Sequence, residues 1–378
     1  MFQRRHHLHL IHFHFKRGLS ELYVCNILRQ LAFAAVGLFV PIYFLTLGLG
    51  LKDIAVFYLS ASLSYILFVI PAARFSANRR LKLSMALSII PLLTSFAMLY
   101  TLGDLHWPVY LIGAIFGLNW PLFWFGFYVN LAIDTDKDHQ GEEIGIMYTF
   151  IYLVEIFSPV IGATILSFFG FHVLFLFVAL VLALSIIPLF YSDAIVNQTA
   201  FDVKKIWPLL KTRNAIGFCG FGGEDHGAGG VIWPVFMFLA VPVYLALGLI
   251  FSVGLAAAVV FSYITSELTD KIKKQKMIYW GATTNSIFYL LRTFANTVVD
   301  FLSFNLIAAL SSILTRVPVE ALVFEKANQK SLPEFIVAKE IAFHFGAVIF
   351  FTLIFIVNDA VFGLILGAIF SLLYLFMK

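Results

Sequence analysis

One short, mostly basic stretch separates two long apolar runs of this chain: Ser266-Glu267-Leu268-Thr269-Asp270-Lys271-Ile272-Lys273-Lys274-Gln275-Lys276. A second basic stretch, Ala73 to Lys82, separates two other apolar runs earlier in the sequence. The two stretches are in register, because Asp270 follows Ala77 by 193 residues and Pro234 follows Pro41 by the same 193 residues. A repeat of that length without a gap predicts two similar halves, each with a basic loop after its second apolar run.

The composition predicts that lipid is the solvent for most of the chain. Of 378 residues, 61% are hydrophobic and 12% are charged, and the mean hydropathy is +0.94. A soluble domain could not bury that much apolar surface. The two cysteines, Cys25 and Cys219, cannot form a disulfide framework and are expected to serve packing.

The apolar runs predict about twelve membrane spans in two sets of six, since each run is roughly 20 residues long. They lie near 24–49, 53–73, 82–102, 108–131, 144–168, 171–191, 214–238, 242–265, 277–298, 301–324, 334–357 and 359–377. The predicted halves are therefore residues 24–191 and 214–378, joined by a linker over residues 192–213.

The N-terminal segment, residues 1–23, is basic and histidine-rich. It is too polar to span a bilayer, and we expect it to lie on the cytoplasmic surface against anionic headgroups. His-x-His spacing leaves a transition-metal site as the alternative, but no carboxylate or thiol accompanies the histidines.

Charge placement predicts that both termini lie in the cytoplasm of a multi-pass protein of the cell membrane. With the N-terminus inside, Lys52 is the only lysine or arginine that falls in an external loop. The predicted cytoplasmic segments contain Arg4, Arg5, Lys16, Arg17, Arg74, Arg79, Arg80, Lys82, Lys137, Lys204, Lys205, Lys211, Arg213, Lys271, Lys273, Lys274, Lys276, Lys326, Lys330 and Lys378.

Six plus six spans with a basic loop after spans two and eight resemble the major facilitator superfamily of secondary transporters. The family loop is Gly-x-Leu-x-Asp-Arg-x-Gly-Arg-Lys, of which the second-half loop keeps Leu268, Asp270 and Lys271, with Ser266 in place of the first glycine. The first-half loop departs further, with Ala73, Phe75 and Ala77 at the Gly, Leu and Asp positions. In span five, Ser158-Pro159-Val160-Ile161-Gly162-Ala163 is similar to the Gly-Pro-x-x-Gly-Gly stretch of exporter branches.

This resemblance implies an all-α membrane protein with twelve transmembrane helices in two six-helix bundles. It also implies a cavity lined by spans one, four, seven and ten, and a gating role for Asp270 and Lys271. The implied function is secondary active transport of a small organic solute by alternating access.

Four titratable residues are the candidates for proton coupling, because ionisable groups inside lipid are costly unless they face a cavity or a partner. Glu224, Asp225 and His226 are adjacent in a glycine-rich part of span seven, which predicts an opened helix at the transport path. The alternative is close packing by small residues near the interface. Glu155 is isolated in the middle of span five, with a structural pair to Arg29 as the alternative.

The candidates for substrate binding lie in spans four and ten. Trp120, Trp124 and Tyr128 recur at every fourth residue beside Asn119, which suits stacking on a sugar, an aromatic ring or a lipophilic cation. Packing or a lipid-facing stripe is the alternative. In span ten, Arg316 could anchor an anionic group or pair internally with Glu320.

Three polar residues of span one, Asn26, Arg29 and Gln30, are predicted to form part of an inner gate. His344 is grouped with Lys339 and Glu340 as an interfacial set at the start of span eleven.

The sequence shows no phosphate-binding loop, cofactor motif or basic nucleic-acid face. We therefore expect a monomeric, proton-coupled transporter without cofactors, with export slightly favoured by the span-five stretch. The alternatives are a twelve-span sensor or assembly protein, and a lipid-modifying enzyme that uses Glu224, Asp225 and His226.

Overall fold

The computed structural model describes residues 17–77, 81–135, 140–191, 201–329 and 332–377. Within these ranges the chain is helical and contains no strand. The predicted all-α class is therefore confirmed. The histidine-rich residues 1–16 lie outside the described ranges, and so does any metal site on them.

The first half consists of helices interrupted at a few small or polar residues. Ser88 separates α4 from α5, and Gly170, with φ of 79°, divides α8 into two helices. The helices are α1 Arg17–Val36, α2 Val40–Thr46, α3 Leu51–Ala77, α4 Leu81–Leu87, α5 Ile89–Tyr100, α6 Leu102–Leu105, α7 Val109–Asp134 and α8 Gln140–Ser185. A 3-10 turn, Ile187–Phe190, follows α8.

The described chain after residue 200, which includes part of the predicted linker, begins with a 3-10 turn, Val203–Lys205, and contains one wide π-helix, Gly222–Ile232, within span seven. Its α-helices are α9 Ile206–Leu210, α10 Arg213–Phe221, α11 Trp233–Ala240, α12 Tyr244–Lys271, α13 Lys274–Arg292, α14 Val298–Gln329, α15 Leu332–Val357 and α16 Ala360–Leu372. A 3-10 turn, Leu373–Phe376, continues α16.

The internal repeat is present in the helix bounds. Helices α2 and α11 begin 193 residues apart, and both carry a proline in their first turn. Helices α3 and α12 also begin 193 residues apart, as do α4 and α13. The same spacing at three helix starts shows that the two halves share one succession of helices.

Among the described residues, eight helical segments are long and apolar enough to cross a membrane by length and composition. Continuous pairs such as α1 with α2 make single segments, and α8 makes two, so the architecture is consistent with the twelve predicted spans. The first segment begins at Arg17 rather than near residue 24. Residues 17–23 therefore belong to a helix and not to a surface segment.

The two halves meet along a surface that we call the seam. It is formed by α3, α7 and α8 of the first half and by the π-helix, α12 and α15 of the second half. At the end of the bundle that carries α6, one apolar cluster contains residues of both halves. There the Tyr244 ring lies 6.3 Å from the ring of Phe39 and 5.9 Å from that of Phe171.

Toward the opposite end, which carries α9, the apolar residues divide into separate clusters. One belongs to the first half, one to the second half, and one joins α3 to α15 through side chains such as Val69 and Val337. The halves are thus in firmer mutual contact at the α6 end than at the α9 end.

Span seven and α15 approach each other closely through two glycines. A Cβ on Gly346 would collide with the backbone carbonyl of Cys219, and a Cβ on Gly222 would collide with that of Phe343. No side-chain adjustment relieves a collision with backbone, so this close approach of the two spans requires glycine at both positions.

We expect Gly346→Ala to lower the stability of the purified protein in detergent by about 1–3 kcal/mol, because the added methyl group must push two helices apart. The measurement is the thermal melting temperature. Gly50→Ala is the matched control, since its Cβ meets only the Asp53 carboxylate at 3.9 Å. Equal melting temperatures for the two variants would contradict the close approach.

Candidate functional site

Three adjacent polar side chains of the π-helix point in three directions. Successive side chains on an α-helix are rotated by about 100°. Glu224 points into the second half, Asp225 toward α14, and His226 toward the first half. The glycines predicted an opened helix, and the structure instead has a helix widened to the i→i+5 pattern.

Glu224 is held in a cage of three neutral donors from its own half. Its Oε1 accepts hydrogen bonds from Asn285 Nδ2 at 2.9 Å and from the Tyr289 hydroxyl at 2.8 Å. Its Oε2 accepts one from the Tyr374 hydroxyl at 2.8 Å. The carboxylate is buried and lies between the π-helix, α13 and the C-terminal turn. It therefore sits inside the second half and not at the seam.

Asp225 forms an ion pair with Arg316 of α14, and both side chains are partly exposed, at 37% and 40%. Glu155 of α8, in the opposite half, lies close enough to Arg316 for the two charges to interact. One guanidinium and two carboxylates from spans five, seven and ten thus form a group, which we call the charge triad.

His226 contacts side chains of the first half across the seam. Its ring centroid lies 5.7 Å from that of Tyr58 and 5.5 Å from that of Trp120. His344 of α15 lies 6.2 Å away on the other side and stacks on Tyr65 at 3.9 Å. Trp120 of span four and His226 of span seven, both predicted site residues, thus meet at the seam.

The aromatic stripe of α7 does not stay on one face. Trp120 reaches the seam, whereas Trp124 stacks on Tyr128 at 5.5 Å and packs on a cluster inside the first half. Positions four residues apart drift by about 40° around an α-helix, so a stripe with that spacing turns away from the seam. Only Trp120 of the three has a described contact with the second half.

The predicted gate residues of span one are buried within the first half. Arg29 is 1% exposed, donates a hydrogen bond to Asn119 Oδ1, and lies 3.9 Å from the Phe123 ring centroid. Asn26 is also buried, and Gln30 is partly buried. Because α1 begins at Arg17, these positions lie more than two turns inside the helix. The described partner of Arg29 is thus Asn119, while Glu155 faces Arg316.

For three residues that the sequence predicts at the site, the structure describes the helix but not the side chain. Asp270 and Lys271 lie at the end of α12, and Glu320 lies in α14. Among the described residues, no group of three or more His, Cys, Asp or Glu is placed to hold a metal ion.

Sequence reasoning missed several members of the site. His344 was grouped with the interfacial residues, yet it is only 4% exposed, while Lys339 and Glu340 pair with each other at 3.2 Å. Tyr289 and Tyr374 gave no signal, because a tyrosine in an apolar run is not distinguished by spacing. The one sequence signal for the burial of His344 is its position well inside a long apolar span.

Comparison with known families decides the classification. The family model described as Major Facilitator Superfamily matches residues 22–350. The chain belongs to the major facilitator superfamily. No curated protein sequence matches it.

Solved structures with the superfamily fold overlay almost the whole chain. A nucleoside transporter, NupG, has a TM-score of 0.72 at 12% identity, covering 96% of this chain and 98% of its own. A bacterial homologue of the iron transporter ferroportin, in an inward-facing state, gives 0.71 at 12% identity, covering 96% and 99%. A POT family transporter in complex with a thioalcohol conjugated peptide gives 0.74 at 12% identity, covering 95% of each chain.

These similarities establish the fold. Together with the family match they make the chain a multi-pass membrane transporter of a small molecule, and not an enzyme. Because each identity is 12%, the cargo of these proteins is not transferred to this chain.

Removing one donor of the Glu224 cage should destabilise the second half. In Tyr374→Phe, Glu224 Oε2 loses its 2.8 Å hydrogen bond. A buried acceptor left without its donor costs about 1–3 kcal/mol, so thermal melting in detergent should fall measurably. Tyr110→Phe, at a side chain that is 60% exposed, is the control and should melt like the parent protein. An unchanged melting temperature for Tyr374→Phe would show that the hydroxyl does not support the cage.

Proposed function

We propose that the protein is a proton-coupled secondary active transporter of a small organic solute, working by alternating access between residues 24–191 and residues 214–378. The observation that carries this proposal is the charge triad, in which Asp225 pairs with Arg316 while Glu155 of the opposite half lies within range of the same guanidinium. The pair is partly exposed, as a group that exchanges protons with water must be.

The charges of the triad support coupling to one proton. One guanidinium balances one carboxylate, so a second carboxylate leaves one net negative charge in a low-dielectric region. Binding a proton removes that charge. Protonation of Asp225 weakens its ion pair with Arg316 and favours the attraction between Arg316 and Glu155, and protonation of Glu155 has the opposite effect. The proton thereby selects whether Arg316 bonds within its own half or across the seam.

The substrate side of the proposal rests on two residues that point to shared space. Arg316 supplies a planar donor for an anionic group, and Trp120 supplies an aromatic face at the seam. An amphipathic organic solute with an anionic group fits both. Asn119, Trp124 and Tyr128 then support span four from inside the first half. Export is the proposed direction, from the Ser158 to Ala163 stretch, in a monomer with both termini in the cytoplasm.

A ligand screen can be run without assuming one solute in advance. A thermal-shift screen of a broad compound panel at two pH values detects binding and its proton linkage together. Compounds that stabilise the protein are then tested in proteoliposomes with a pH dye in the lumen. Flux separates a transporter from a twelve-span sensor, and it also separates a transporter from a lipid-modifying enzyme.

Glu155→Gln and Asp225→Asn should each reduce proton-driven accumulation by about tenfold or more, because the triad then lacks a carboxylate that can cycle its proton. Solute counterflow, which needs no net proton movement, should persist. The matched control is Asp104→Asn, an exposed carboxylate in the short helix α6, which should transport normally. Full proton-driven accumulation in both variants would remove proton coupling through the triad.

Glu224→Gln gives a separate test of the third carboxylate that the sequence predicts for coupling. If Glu224 carries a proton during transport, this variant should lose accumulation while it keeps its fold. Normal accumulation together with a lowered melting temperature would assign the Glu224 cage to stability alone.

A further inference from the structure

Two imidazoles lie near each other at the seam: His344 is buried, and His226 is partly buried with its Nε2 atom enclosed. His226 lies in the centre of the π-helix and His344 lies near the centre of α15, with ring centroids 6.2 Å apart. The described residues offer no hydrogen-bond partner to His226 Nε2 or to His344 Nδ1. A buried polar atom without a partner destabilises the conformation that buries it. Contact between the halves at the seam therefore leaves two ring nitrogens without hydrogen-bond partners, and each destabilises the closed arrangement.

The first half supplies the wall of this pair. Tyr65 of α3 stacks on His344 at 3.9 Å, and the Trp120 ring lies 5.4 Å from His344 and 5.5 Å from His226. Tyr58 of α3 and both Phe343 and Phe351 of α15 also lie against His226. When the halves separate, the tyrosines and the tryptophan leave with the first half, and both imidazoles become accessible to water.

The charged and titratable groups near the pair are few. Asp225 is adjacent to His226 and is engaged by Arg316 of α14. On α15, Glu340 lies one turn before His344 and is engaged by Lys339 at 3.2 Å. From α3 only the phenols of Tyr58 and Tyr65 face the rings, and from α7 only the indole of Trp120. In the described structure, neither of the two unpartnered nitrogens has a carboxylate on it.

We propose that His226 and His344 form a proton-binding site that permits the seam to close only while both imidazoles are neutral. This inference deepens the proton coupling proposed above, and it adds His344 to the residues that take part. Two imidazolium cations 6.2 Å apart among aromatic rings would lack both water and counter-ions. In the separated state water solvates each cation.

The sign of the effect follows from linkage. The closed seam binds fewer protons than the separated seam, so lowering the pH favours separation. Since an unperturbed imidazole titrates near pH 6.5, the change falls within the physiological range. The triad and the histidine pair then act in sequence: the triad selects the partner of Arg316, and the pair sets whether the halves can meet.

The experiment measures distances between the halves and does not depend on solute flux. Spin labels are placed on a Cys25→Ala, Cys219→Ala background, and electron–electron distance distributions are recorded from about pH 8 to about pH 5. One label pair, Leu105→Cys with Phe294→Cys, reports the α6 end, where both side chains are exposed, at 58% and 78%. The other pair, Phe190→Cys with Lys273→Cys, reports the α9 end at exposed positions.

In the otherwise wild-type labelled protein, the separated population at one end should rise about tenfold relative to the closed population over this pH range. His226→Gln and His344→Asn retain a hydrogen-bonding group but accept no proton, so each should reduce that rise and together they should abolish it. His172→Gln is the control, because His172 is exposed and contacts Tyr100 away from the seam. It should keep the full pH response.

Two outcomes would overturn the proposal: no pH response at either end, or an undiminished response in both single variants. The single variants keep the test valid if the double variant does not fold. A pH response that depends on the histidines, together with proton-independent flux, would uphold this site and refute the coupling proposed for the triad. The reverse combination would refute this site alone.

Discussion

A charge inside a bilayer must have a partner, and this constraint accounts for how the helices of this transporter are held together. Lys82 and Glu21 illustrate it at the α9 end, where they form a buried ion pair at 2.8 Å between α4 and α1. Arg292 is instead enclosed by aromatic faces, with its guanidinium 4.7 Å from the Trp233 ring and 4.4 Å from that of Tyr289. Each charge therefore fixes a contact between spans that apolar packing alone would leave free to slide.

The same constraint is met in different ways by neighbouring charges. Glu224 is fully enclosed by neutral donors within one half, and such a group stabilises one arrangement of its helices. Asp225 and Arg316 keep partial access to water, and Arg316 also acts electrostatically on Glu155 of the opposite half. Adjacent residues of one helix thus differ in their surroundings because each turn of the helix presents them to different neighbours.

The sequence predicted the fold well, because span length, hydropathy and the repeat of 193 residues can all be read along the chain without knowing which helices are neighbours. It predicted the site less completely. Grouping Glu224, Asp225 and His226 assumed that neighbours in sequence share a destination, whereas the π-helix directs them to three different places. The aromatic stripe is divided for a related reason, since Trp120 contacts His226 at the seam while Trp124 packs on a cluster inside the first half. The contact between His344 and His226 arises because α15 lies beside span seven, and no local sequence pattern shows which helices are neighbours.

The glycine contacts between span seven and α15 have a mechanical consequence. Gly222 lies against the Phe343 carbonyl and Gly346 against that of Cys219, so the backbones of the two spans are in direct contact at two points and form a rigid pair, which we call the strut. His226 and His344 are mounted on that strut, so neither imidazole can leave the opposing aromatic wall without the other. Movement of one histidine away from the aromatic wall is thereby coupled to movement of the other.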